Sequence, residues 1–169
     1  MFIEKNKLIC PISGNNNFEE LFKVSGFPIF MGVVESNFKS EFMDMTFNIN
    51  KLTGTVQIFP RVPLEKLYFK SHGSGKIGGV WKEHHESFYN LISTYLVGDV
   101  VEIGGGHNSI HGLPIKHSNS YKIFSFDPNG KDIDHKNITV INEFFSEDSL
   151  KKRNINNVKL FFHSHLLEH

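Results

Sequence analysis

The stretch Val100–His111, VVEIGGGHNSIH, sets three consecutive glycines behind a short apolar run that carries a lone glutamate. Glycine loses more conformational freedom on folding than any other residue, so three in a row mark a place where bare backbone is needed at close range. The apolar run before them, DVVEIG (99–104), reads as a strand buried on both faces. Three further apolar segments follow it: YKIFSFD (121–127), ITVINEFF (138–145) and VKLFFHSH (158–165). The first, second and fourth are near-continuous apolar runs, as expected where helices cover both faces of a parallel sheet. The spacing predicts β-α-β-α-β-α-β with right-handed connections. The crossovers are weakly helical, and NSIHGLPIKH (108–117) carries Gly112 and Pro114, so a helix there is short or broken.

Upstream, Val80, His84, Phe88, Leu91, Ile92 and Tyr95 recur at three- and four-residue steps, which predicts a helix with one apolar stripe ended by Gly98. Residues 1–70 read differently. They hold β-prone pieces, KLICPI (7–12), FPIFMGVV (27–34), MDMTFNI (43–49) and TVQIFP (55–60), and NKLTG (50–54) makes a hairpin of Met43–Pro60. SHGSGK (71–76) serves as a flexible joint. The expected organisation is a small β-rich lobe over 1–70 and an α/β domain over 71–169.

The 169 residues carry 18 basic and 18 acidic side chains, a formal net charge of zero. No basic block stands out, which disfavours nucleic acid as the main partner. No apolar run reaches membrane-spanning length, and residues 1–7 lack the pattern of a secretory signal. The single cysteine, Cys10, excludes an internal disulfide and fits a reducing cytoplasm.

In a parallel sheet, ligands sit beyond the carboxyl ends of the strands, where the glycine turn lies. Asp127 ends the next strand, 25 residues beyond Glu102. An acid there can accept hydrogen bonds from both ribose hydroxyls of a nucleoside. The dinucleotide fingerprint G-x-G-x-x-G fails, because Ser109 stands where the frame starting at Gly104 needs its third glycine. E-x-G-x-G fits instead, over Glu102, Ile103, Gly104, Gly105 and Gly106.

That motif resembles the first motif of the class I S-adenosylmethionine-dependent methyltransferases. VINEFF (140–145) resembles the segment after the family's third strand, where a polar and an apolar residue flank adenine. With FFHSHLLEH (161–169) and GKIGGVWKEHHESF (75–88), the chain is similar to a narrower group of bacterial enzymes acting on nucleotide sugars and related small molecules. The resemblance implies a Rossmann-like sheet in the order 3-2-1-4 and S-adenosylmethionine as cofactor. The residues placed against it are Glu102, Gly104, Gly105, Gly106, Asp127 with Pro128 after it, Phe144 and Phe145, with Glu143 as the polar neighbour. His163 and His165, at the end of the fourth strand, are the catalytic candidates, because an imidazole there can take the proton an acceptor hydroxyl or amine loses. His84 falls on the apolar stripe and reads as a core histidine, while His85 faces elsewhere and approaches the acceptor site. The implied acceptor is a small metabolite of surface-polysaccharide biosynthesis. The alternative is a module that binds cofactor or partner without turnover, and a nicotinamide oxidoreductase is disfavoured by Ser109.

The narrower group opens with a zinc ribbon, C-P-x-C-G and later C-x-x-C-G. Here the same places read CPISG (10–14) and NKLTG (50–54), leaving one thiol of four. Serine, asparagine and threonine bind zinc poorly. The lobe is therefore expected to hold no metal and to rely on aromatic packing. His165, Glu168 and His169 also match H-x-x-E-H, a peptidase pattern that works only inside a helix, and the closing Leu167-Glu168-His169 looks like the start of an affinity tag. The family's sheet has seven strands and four are present, so the chain reads as an N-terminal part of the fold. Its fourth strand is expected at an open edge that promotes self-association.

Overall fold

The computed structural model describes residues 8–30, 32, 34–70, 78–105, 118 and 120–167. The chain divides into two compact units, Met1–Phe69 and Lys70–His169, one residue from the boundary that the sequence predicts. No helix among the described residues is long and apolar enough to cross a membrane.

The N-terminal unit is an antiparallel sheet of β1 (Phe18–Pro28), β2 (Phe42–Asn50) and β3 (Val56–Ile58), followed by the single-turn helix α1 (Leu64–Leu67). The hairpin β2–β3 forms where the turn residues place it. β1, the longest strand among the described residues, is a correction: residues 8–12 of KLICPI form no strand, and Phe27 and Pro28 of FPIFMGVV are the last two residues of a strand that begins at Phe18. FEELFKVSGFP is rich in charge and reads poorly as a strand by propensity. Cross-strand pairs hold it there. Phe22 and Phe47 are register partners with stacked rings 4.4 Å apart, and Lys51 reaches Glu19 and Lys23 reaches Asp44 at 2.5 Å.

At one end of this sheet the backbone makes the same loop twice. The Cys10 N–H donates to the Asn15 carbonyl and the Gly14 N–H to the Cys10 carbonyl; the Asn50 N–H donates to the Thr55 carbonyl and the Gly54 N–H to the Asn50 carbonyl. Both loops turn on a glycine in the left-handed region, φ 70° at Gly14 and 72° at Gly54. The side chains at their first and fourth positions converge. Cys10 Sγ lies 3.3 Å from Thr53 Oγ1, and Thr53 Oγ1 donates to Asn50 Oδ1 at 3.2 Å. Asn50, fully buried, accepts the N–H groups of Leu52 and Thr53 and donates to Asn15 Oδ1 at 2.8 Å, while Asn15 in turn donates to Ser13. One thiol, two hydroxyls and a carboxamide do not make a zinc site, and among the described residues no group of three His, Cys, Asp or Glu side chains can hold a metal ion. The expectation of aromatic packing alone is thus incomplete, because a hydrogen-bonded hub ties the two loops together.

The C-terminal unit opens with α2 (Gly79–Ser93) and continues with β4 (Gly98–Ile103), β5 (Tyr121–Phe126), β6 (Ile138–Ile141), α3 (Glu147–Lys152) and β7 (Val158–His163). All four strands are parallel, in the order β6-β5-β4-β7. Counted from β4, the first strand of this sheet, the permutation is 3-2-1-4. The chain is therefore mixed α/β, with a four-stranded parallel and a three-stranded antiparallel sheet.

One face of the parallel sheet, including Val100, Ile123 and Phe162, packs with Phe88, Tyr89 and Ile92 of α2; Val101, Phe126 and Ile141 pack with Phe145, Leu150 and Ile155 as a second cluster. The apolar stripe of α2 needs correcting. Val80, Leu91 and Tyr95 are exposed at 82%, 60% and 59%, and Tyr89 and Leu96 take their place on the core. The helix also stops at Ser93, ahead of Gly98, which begins β4.

The β5–β6 connection, residues 127–137, holds no helix. DPNGKDIDHKN has no apolar period that could bury a helical face. Asn137, buried, closes this connection instead by donating Nδ2–H to the Tyr121 carbonyl at 2.7 Å. β7 lies at the sheet edge, with Phe162 buried and Phe161 half exposed on the other face.

Two outcomes follow from the N-terminal hub. Asn50→Ala leaves buried N–H and hydroxyl donors without an acceptor and should lower stability by about 1–3 kcal/mol in denaturant titration. The hydroxyls of Ser13 and Thr53 outweigh burial and hold the Cys10 thiol down from 9.0 to about 6. A lowered pKa contributes stability fully above the unfolded value, and that contribution is lost as pH falls through the folded one. Thermal stability should therefore rise between pH 6 and 9, and Cys10→Ser should flatten that rise.

Candidate functional site

The carboxyl ends of β4, β5 and β7 bring most of the predicted residues to one end of the sheet. Glu102, next to last in β4, points inward with 1% of its surface exposed. A carboxylate so placed needs a donor. Ser125, its register partner on β5, provides one, donating Oγ–H to Glu102 Oε2 at 2.6 Å. Directly above lies Gly105. A Cβ there would stand 2.3 Å from Glu102 Oε2 and 2.3 Å from Ser125 Oγ. Gly104 has φ 77°, donates its N–H to the Phe126 carbonyl at 2.8 Å, and would set a Cβ 3.1 Å from Leu166. The bare backbone is thus required by a buried carboxylate beneath the turn and by the chain leaving β7. Gly106, with His107, Asn108 and Ser109, lies outside the described residues.

Asp127 follows β5 directly and is half-buried. Its Oδ1 accepts the Asn129 N–H at 2.7 Å, and its carbonyl accepts the Gly130 N–H at 3.0 Å. This is an Asx turn, with Pro128 inside it, and Asn142 pins it by donating to the Gly130 carbonyl at 2.9 Å. One carboxylate oxygen is therefore committed to shaping the loop that carries it.

Beyond β6 the predicted neighbours separate. Phe144 is 41% exposed. Phe145 packs edge-on to Phe126 at 5.4 Å and Phe161 at 5.9 Å and belongs to the core. Glu143 pairs with Arg153 at 2.5 Å, and hydrogen bonding to Ser149, then Arg153, holds its carboxyl below the usual value. Its role is to fasten α3 to the end of β6.

The two catalytic candidates also part. His163 shares the β7 face of Phe161, opposite Phe162, and its Nδ1 is buried with no hydrogen-bond partner among the described residues. His165 is exposed, sits outside any helix and has φ 53°, so the peptidase pattern lacks its scaffold; Glu168 and His169 lie outside the described residues. Its ring meets Trp81 at 4.6 Å and His84 at 4.9 Å. His84 is not simply a core residue, because its Nε2 is hydrogen-bonded to Ser164 Oγ at 2.9 Å, joining α2 to the end of β7. His85 lies 5.5 Å from His84 and 5.6 Å from Trp81, ring to ring. Burial first, then repulsion by His84 and His165, lowers its pKa below 6.5, against the attraction of Glu102.

Sequence reasoning missed Ser125, Trp81, Ser164 and Leu166. Ser125 had a signal, since it is a small hydroxyl residue set between Phe124 and Phe126 in a largely apolar strand. Trp81 stands three and four residues before the two histidines, hence on their helical face. The sequence matches no protein-family model and no curated protein.

The carboxylate under the turn gives a direct expectation. Gly105→Ala forces a methyl group onto Glu102 and Ser125 and should destabilise the C-terminal unit by about 1–3 kcal/mol, read as a lowered melting temperature. Glu102→Ala in the same chain should recover part of that loss.

Proposed function

We propose that the C-terminal unit is a Rossmann-like, class I methyltransferase sheet that binds S-adenosylmethionine for methyl transfer to a small acceptor. One observation carries the reading. An acidic side chain and a glycine turn end β4, a second acid ends β5, and the two strands are adjacent and parallel at the centre of the sheet. That is where nucleoside-type ligands bind in open α/β sheets. The sulfonium cofactor supplies an electrophilic methyl group. Within this chain, Asp127 would hold ribose hydroxyls, the Gly104–Gly105 turn would line the opposite wall, and exposed Phe144 is better placed than Phe145 to meet an adenine ring. Alignment and proton acceptance are what remains for the protein to contribute. A nucleotide sugar or related metabolite as acceptor follows only from the resemblance of the motifs.

A specific observation favours a second reading, a module that binds without turnover. Gly104 and Gly105 are each accounted for by contacts inside the chain, so their presence does not by itself require a cofactor.

Calorimetry with S-adenosylhomocysteine tests the site. Asp127→Asn keeps an oxygen for the Asn129 N–H but loses the charge, so the loop should survive while binding weakens by about 1–3 kcal/mol. Asp127→Ala should weaken it at least as much. Parent-like affinity in both variants removes the methyltransferase reading, and cofactor binding without turnover selects the module.

A further inference from the structure

The first two turns of α2 and the residues leaving β7 bring three imidazoles and one indole together: Trp81, His84, His85 and His165. The cluster adjoins the glycine turn, because Leu166, next to His165, is the neighbour of Gly104. Within it the three histidines have different tasks. His84 is tied by Nε2 to Ser164. His165 is held edge-on to Trp81 in a left-handed conformation that few residues other than glycine adopt. His85 is half-buried, its ring nitrogens hydrogen-bond to no described residue, and neither is buried without a partner. It alone combines a fixed ring with nitrogens open to a ligand.

We propose that His85 is the proton acceptor of this site and that the group it serves is a hydroxyl oxygen. The assignment rests on the methyl-transfer reading. The titratable and charged groups facing His85 are His84 on its own helix, His165 beyond β7 and Glu102 of β4. Burial and the two imidazoles keep His85 neutral at neutral pH, with its lone pair available. As the acceptor oxygen bonds to the methyl carbon, the carbon–sulfur bond breaks and its electron pair stays on sulfur. The O–H proton passes to the imidazole, and Glu102 favours the imidazolium that results. A hydroxyl oxygen becomes strongly acidic while that bond forms, so a base that holds protons poorly is sufficient. A methylated amine retains its proton far more tightly than such an imidazole, so a base of this kind does not serve it. His84 and His165 are positioning residues: they act through His85.

The test measures methyl transfer from S-adenosylmethionine to two sets of nucleoside-diphosphate hexoses, one bearing only hydroxyls and one bearing an amino group. S-adenosylhomocysteine binding is followed in parallel. Methylation should occur on oxygen. His85→Gln and His85→Asn should each lower kcat by about 100-fold or more while leaving S-adenosylhomocysteine affinity and melting temperature near the parent's. His84→Gln removes a repelling neighbour, so it should raise the His85 pKa in an NMR titration and move the acid limb of the rate profile to higher pH by the same amount. Parent-like turnover in both His85 variants, methylation at the amino nitrogen, or cofactor binding with no hydroxyl methylated overturns the proposal. Failure of the parent to bind S-adenosylhomocysteine overturns the methyl-transfer reading itself.

Discussion

The Glu102–Ser125 hydrogen bond is the constraint around which the C-terminal unit is arranged. A carboxylate sealed at the end of a central strand costs several kcal/mol unless a donor meets it, and Ser125 meets it from the neighbouring strand. That pairing fixes what lies above. Only a residue without a side chain fits at Gly105, and the turn must then leave β4 through the left-handed conformation of Gly104. Leu166 closes over that conformation, which places Ser164 and His165 within reach of α2. One buried acid thereby links the register of β4 and β5, the glycine turn and the histidine cluster.

Much of this was legible in the sequence. Continuous apolar runs gave the parallel strands, because a strand covered on both faces has no polar side to show. The glycines and Asp127 located the strand ends that carry the site. What escaped has physical causes. β1 is held by pairing across strands, between partners such as Glu19 and Lys51 far apart in the chain, so no local pattern announces it. The face of α2 was misjudged because Leu91 fits the helical period and yet is exposed, and Tyr95, which also fits it, lies beyond the helix end at Ser93. Phe144 and Phe145 are adjacent and chemically identical, and only packing against Phe126 and Phe161 tells them apart. The connection between β5 and β6 reads as a crossover by length alone, whereas Asn137 and the Asp127 turn close it without a helix.

The N-terminal unit solves a related problem in another way. A small antiparallel sheet buries little apolar surface, and units of this size need a further tie. Here the tie is a set of polar contacts among Cys10, Asn15, Asn50, Thr53 and Thr55, in which Cys10 and Asn50 are buried and the other three half-buried. Such a network is cooperative, each bond orienting the next, and Asn50 stands at its centre.

The repeated loop also bears on the conditions this unit can withstand. A sheet end clamped by hydroxyls and carboxamides offers poor ligands to divalent cations, so scarcity of a trace element should leave it folded. Nor can an internal disulfide lock it. Two thiols in facing loops can be trapped as a disulfide, whereas one thiol enclosed by threonines has no partner with which to close.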